Sequence, residues 1–220
     1  MYILLPSSEL KSVGGAALNP LQDELSSYRS ILSNELQLSP ATNLSKSSIN
    51  SELIHKLNKE ISDHSKLLPA WERYQGVVYR FLNLTKNDPL ELIHICSPYL
   101  GIAAANSNIP NYKLSFNSSV GNIGKLSNFW SKNLPHHTIF SQEGVFLDLL
   151  TQSQRSLITY PKGSIVYQID FLANDRKLIG HLGKETKGRF LREFINYELP
   201  LNKLQSLATL HNATITLKRF

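Results

Sequence analysis

The sequence predicts an α/β (α+β) fold: a single compact domain over residues 1–220, with a mixed β-sheet flanked by helices and a late β-hairpin leading into a helix. Three observations predict it. Short apolar runs ended by turn-forming or polar residues occur at Tyr2-Ile3-Leu4-Leu5, Leu90 to Cys96 and Val145 to Leu150, the form of strands buried on both faces. Segments of helical period alternate with them. Near the end, an extended run from Ser164 to Phe171, a polar turn at Asn174-Asp175 and a second run from Lys177 to Leu182 read as a hairpin.

In chain order, Tyr2 to Leu5 is a strand closed by Pro6. The loop Ser7 to Ser12 and Gly14-Gly15 follow, where open α/β sheets place ligands. Asp23 to Glu35 reads as a helix with Leu25, Tyr28, Ile31 and Leu32 on one side, and Gln37 to Ser48 as a loop. Ile49 to Leu68 carries helical spacing at Ile49, Leu53, Leu57, Ile61 and Leu68. Between Tyr74 and Tyr79, Gly76 marks a close backbone approach to another element. Ala103 to Pro110 is a small-residue loop, and Lys125 to Leu134 an amphipathic helix. A helix from Leu201 to Leu210 and an alternating strand from Ala213 to Lys218 complete the chain.

The chain has 220 residues, 41% hydrophobic and 18% charged, as expected of a globular protein. No internal repeat or long linker divides it. The net charge is +6, and residues 161–220 hold ten Lys/Arg against five Asp/Glu, so an anionic partner is plausible. The single cysteine, Cys96, forms no intramolecular disulfide and reads as a buried structural thiol. No run approaches the roughly 20 apolar residues of a membrane span, and the start lacks the pattern of a signal peptide. The expectation is a soluble cytoplasmic protein. Walker A, G-x-G-x-x-G and G-x-S-x-G patterns are absent. His136-His137 lacks a third ligand at metal spacing, so no metal or cofactor is expected.

The segment His181-Leu182-Gly183-Lys184-Glu185-Thr186-Lys187-Gly188-Arg189 carries the strongest functional signal. It precedes an apolar stripe of Phe190, Leu191, Phe194 and Ile195, so Lys184 and Lys187 are expected in the first turn of a helix. Free N–H groups gather there and an anion is stabilised; Gly183 and Gly188 would let it approach the backbone. A solvated lysine pair beside Glu185 is the alternative.

The ordered set of motifs is similar to the YaaA peroxide-stress protein family. It comprises Leu4-Leu5-Pro6-Ser7-Ser8-Glu9-Leu10-Lys11-Ser12, Tyr74-Gln75-Gly76-Val77-Val78-Tyr79, Ser97 through Leu114, Phe129-Trp130, Leu147-Asp148-Leu149 and His181 through Gly188. The resemblance implies a single domain with a positively charged cleft, binding to duplex and branched DNA, and protection from oxidative damage. It also implies a helix-hairpin-helix-like element, placed here at Ser97 to Gly101. The chain departs from the family pattern at Ala104, Ala105, Ser107, Lys113 and Gln154.

Two function classes follow. One is a DNA-binding protein of the oxidative-stress or DNA-repair type, contacting phosphates of double-stranded or branched DNA through Lys11, Lys113, Lys184, Lys187, Arg189 and Arg192. The other is an enzyme acting on a nucleotide, nucleobase or other small anionic ligand, with Lys11, Lys184, Glu9 and Tyr79 in the pocket. A lysine desolvated beside another cation loses its proton more easily and serves as nucleophile or base. Both classes expect Lys11, Lys113, Lys184 and Lys187 around one cleft.

Overall fold

The computed structural model describes residues 1–38, 55–58, 60–173, 176–177, 180–198 and 201–220. The main sheet contains strands β1 (Tyr2–Pro6), β2 (Ile93–Ser97), β3 (Gly101–Ala104), β4 (Val145–Asp148), β5 (Ile165–Ala173), β6 (Arg176–Lys177) and β7 (Ala213–Arg219). The principal helices are α1 (Ser26–Leu38), α2 (Val77–Leu82), α3 (Leu126–Asn133), α4 (Gly180–Asn196) and α5 (Leu204–Leu210).

The strand order is β6-β5-β4-β1-β2-β3, with β7 paired to β5. β1 runs parallel to both β2 and β4, and β4 parallel to β5. β3, β6 and β7 pair antiparallel. The expected mixed sheet is therefore present, and β5 and β6 form a late hairpin, but its second strand is Arg176–Lys177 rather than Lys177 to Leu182, because the chain is helical from Gly180; Asn174-Asp175 and residues 178–179 lie outside the described residues. Central position explains the strand sequences: Ile3, Leu4 and Leu5 are fully buried, and every residue of β2 is buried, as in parallel strands covered on both faces.

The topology fixes where a ligand site belongs. From β1 the chain adds β2 and β3 on one side, then returns to add β4 on the other. The gap between the carboxyl ends of β1 and β4 is therefore a topological switch point, the crevice that open α/β sheets use for ligands.

Several elements differ from expectation. α1 buries Arg29, Leu32, Ser33 and Leu36, spaced i, i+3, i+4, i+7, and leaves Ile31 exposed; two polar residues take part in the buried face. α1 also extends through Gln37, while 39–48 of the expected loop lie outside the described residues. Of the helix expected from Ile49 to Leu68, residues 49–54 and 59 lie outside them. Residues 55–58 are helical, but Glu60–Ser62 and His64–Lys66 are separate 3₁₀ turns, and Leu68–Pro69 is a strand on Asn108–Ile109. The Asp63 carboxylate accepts from Ser65 N–H at 2.9 Å, a local bond that competes with a continuous helix. The expected loop from Ala103 to Pro110 instead contributes to β3 and to Asn108–Ile109. Ser97 and Gly101 face each other across a tight turn joining antiparallel β2 and β3; with strands on both sides, that turn is not a helix-hairpin-helix.

Candidate functional site

A cleft of about 590 Å³ opens at the switch point. Its walls are Pro6 to Leu10 after β1, Gln75 to Arg80 around the start of α2, Thr151 and Gln154 after β4, and His181, Lys184 and Lys187 of α4.

Each wall is held by identifiable contacts. Gly76 touches the loop after β1: a Cβ there would lie 2.1 Å from Ser8 Oγ. This is the close approach expected at that glycine. The buried Tyr79 hydroxyl donates to Pro6 O at 2.8 Å, tying α2 to the end of β1. Beyond β4, the Thr151 N–H donates to Gln154 Oε1 at 3.2 Å while the Thr151 side chain accepts from the Gln154 N–H, a capping box that fixes the Gln152–Arg155 turn. Lys187 Nζ donates to Leu149 O, fastening α4 to the same end of the sheet.

α4 begins at Gly180, so Lys184 and Lys187 stand about one and two turns inside it. They are not in the first turn, where free N–H groups would gather. The glycines are also used differently from expectation. Gly183 and Gly188 belong to the buried face of α4, and a Cβ on Gly188 would lie 2.5 Å from Val78 O and 2.8 Å from Phe81 Cβ. Gly188 admits the backbone of α2 rather than an anion. Because the buried stripe passes through glycines, the apolar pattern starts at Phe190, nearly three turns after the helix begins, and Lys177 to Leu182 reads as strand.

Lys11 lies behind the Ser8–Leu10 wall. Its Nζ donates to Ser8 O at 2.8 Å and sits 4.0 Å from the centre of the Tyr112 ring. The Lys11 backbone bridges to Tyr74. The Tyr112 hydroxyl hydrogen-bonds both Tyr74 and Ser97 hydroxyls at 2.7 Å, and burial pushes the Tyr74 phenol up to about 12. Beside this cluster the fully buried Arg73 guanidinium donates to four carbonyls: Ser12 and Lys66 at 2.6 Å, Gly14 at 3.1 Å and Ile109 at 3.4 Å. Those bonds pin the loop, but they bring no negative charge. Burial, with Lys113 and Arg73 nearby and only partly offset by Glu9, lowers the Lys11 pKa to about 7.

The candidate residues thus divide. Glu9, Tyr79, Lys184 and Lys187 line the cleft. Lys11 and Lys113 adjoin its wall through Ser8 and through Glu9, whose Oε2 lies 3.3 Å from Lys113 Nζ. Arg189 pairs with Glu185 at 3.0 Å over the Phe81 ring, and Arg192 pairs with Asp88 at 2.8 Å; both fasten α4 to neighbouring elements. Arg80 lines the cleft and is exposed. It escapes a sequence reading because one arginine on a short helix carries no periodic signal. Arg73 escapes for the same reason. Among the described residues, no group of three or more His, Cys, Asp or Glu side chains is placed to hold a metal ion. Cys96 is buried, and burial pushes its thiol up. No described helix is long and apolar enough to cross a membrane.

The Lys11 environment predicts a pH effect. Above about pH 7 the folded protein holds Lys11 neutral, while the unfolded chain keeps it protonated up to its ordinary value of 10.5. The unfolded state binds more protons in that window, so Lys11 makes stability rise with pH from about 7 towards 10.5. Lys11→Met should remove this slope. Its melting temperature should exceed wild type most at and below pH 7, and the gap should close as pH rises. Parallel melting profiles would mean that Lys11 titrates normally.

A family profile described as peroxide stress protein YaaA matches residues 1–216. A UPF0246 protein of Corynebacterium efficiens is 28% identical, covering 87% of this chain and 84% of its own. One from Streptomyces coelicolor is 26% identical over 89% of this chain and 83% of its own, and one from Malacoplasma penetrans 26% over 72% and 69%. The profile spans the loop after β1, the start of α2, the end of β4 and α4 together, so every wall of the cleft falls within the match: the chain belongs to the YaaA peroxide stress protein family.

Proposed function

We propose that this protein serves the peroxide stress response by binding DNA through its phosphates at the switch-point cleft. The observation that carries the reading is that Lys184 and Lys187 on α4 and Arg80 on α2 converge on one cleft at the carboxyl ends of β1 and β4. Lysine and arginine contacts to phosphate release counterions and do not depend on base sequence. Glu9, the acidic residue of the wall, is matched by Lys113, which lessens its repulsion of an anion. The net charge of +6 favours the same class of partner.

The test is duplex affinity as a function of salt for wild type, Lys184→Ala and Lys184→Arg. Lys184→Ala should weaken binding and reduce the log–log salt slope by about 0.9, the value for one phosphate contact. Lys184→Arg should stay near wild type, because charge is what the contact uses. Wild-type behaviour in both variants would remove Lys184 from the interface.

The Lys11 environment favours a second reading, an enzyme acting on a nucleotide, nucleobase or other small anion. In that case Lys11→Arg abolishes turnover, since a guanidinium stays protonated, while duplex affinity is retained.

A further inference from the structure

Lys11 combines three features that a phosphate-binding surface does not need. Its Nζ is half-buried on the Tyr112 ring face and held by a neutral acceptor, the Ser8 carbonyl. Of its charged neighbours, Arg73 and Lys113 are cations and Glu9, paired with Lys113, is the anion; Arg73 donates only to carbonyls among the contacts above. The Ser8 that it bonds forms part of the cleft wall. Burial first, and then these cations, only partly offset by the Glu9 carboxylate, disfavour the ammonium form, leaving an amine with a lone pair. A mere phosphate contact would gain from the opposite, a permanently charged and exposed group.

We propose that Lys11 forms an imine with an aldehyde carried on a phosphate-bearing sugar at the edge of the cleft. The inference rests on the reading of the cleft as a phosphate site. The Lys11 nitrogen lone pair attacks the aldehyde carbon and a C–N bond forms. The carbonyl oxygen leaves as water carrying both protons of the amine nitrogen, giving the neutral imine and no net oxidation or reduction. Phosphates on Lys184, Lys187 and Arg80 would hold the sugar while Lys11 reacts. Two ligands share this chemistry: an opened sugar within a DNA strand, and a free sugar phosphate.

The experiment is reductive trapping of the full-length chain with sodium borohydride, using a duplex with one abasic site, an intact duplex, and ribose 5-phosphate. Borohydride delivers hydride to the imine and makes the link permanent. The expected result is a covalent adduct with the abasic duplex and none with the intact one, with peptide mapping of the wild-type adduct placing it on Lys11. Lys11→Arg should trap about tenfold less or worse, because its side chain stays protonated, whereas Lys132→Arg, on an exposed face of α3, should match wild type. Melting curves establish that Lys11→Arg is folded, and the wild-type peptide map does not depend on it. Trapping of ribose 5-phosphate at Lys11 without any duplex binding would keep the imine and remove DNA as the ligand. A duplex that is bound but not trapped, with ribose 5-phosphate also untrapped, would overturn the imine and leave DNA binding standing. An adduct on another lysine would overturn it as well.

Discussion

Replacing Arg155 by methionine should lower stability by about 3–5 kcal/mol, the usual cost of breaking a buried ion pair from one side. Asp148, at the end of β4, is fully buried. Its carboxylate accepts from Arg155 Nε at 2.9 Å and from Leu150 N–H at 2.8 Å. Arg155, also buried, reaches Asp170 at 2.9 Å and the carbonyls of Asp148 and Ile169 at 3.1 and 3.0 Å. One guanidinium therefore joins β4, β5 and the Gln152–Arg155 turn beneath the cleft. Without it, the Asp148 carboxylate stays in a dry interior with one N–H donor. For a chain of this size each kcal/mol shifts the melting temperature by about 2–4 °C, so a fall of roughly 10 °C is expected. Asp148→Leu combined with Arg155→Met should recover part of that loss, because an apolar pair of similar volume removes the stranded charge. Chemical denaturation of the two single variants and the double variant checks this; strictly additive losses would mean that the pair is not coupled.

Gly188→Ala should cost about 1–2 kcal/mol net even though alanine is the better helix former. The new Cβ would stand 2.5 Å from Val78 O and 3.0 Å from Leu82 N, and these are backbone atoms that cannot swing aside. Overpacking of this kind costs about 1–3 kcal/mol and sometimes more, against roughly 1 kcal/mol gained in helix propensity. To relieve the clash α4 must move away from α2, which carries Lys184 and Lys187 away from Arg80 and widens the cleft. Thermal unfolding, together with duplex affinity for the folded variant, reads both effects. Gly183 lies on the same buried face, so loss of stability at Gly188 with no change in affinity would mean that the spacing of α2 and α4 does not set the cleft.

The fold was legible where side chains carry the period. β1, β2 and β4 announce themselves through Ile3 to Leu5, Ile93 to Cys96 and Phe146 to Leu147, all buried. α3 does so through Leu126 and Trp130. The pattern misleads where burial falls on residues without an apolar side chain. α1 buries Arg29 and Ser33, and α4 buries two glycines. The site was legible in part for the same reason. Glu9, Tyr79, Lys184 and Lys187 stand in motifs, and they do line the cleft. Arg80 has no such context. Nor does composition reveal that Arg73 is fully buried against carbonyls, 2.6 Å from both Ser12 O and Lys66 O; only the assembled loops create that surrounding.

The most direct test of the cleft as a phosphate site is amide hydrogen exchange on the full-length chain, with and without a short duplex, at low salt. Binding should slow exchange together in residues 7–11, 75–80 and 181–188, the walls contributed by β1, α2 and α4. Raising the salt should abolish the protection as counterions compete. Protection confined to another face, such as α5 and β7, or unchanged exchange at the three walls under conditions where the duplex is bound, would contradict the assignment of the cleft.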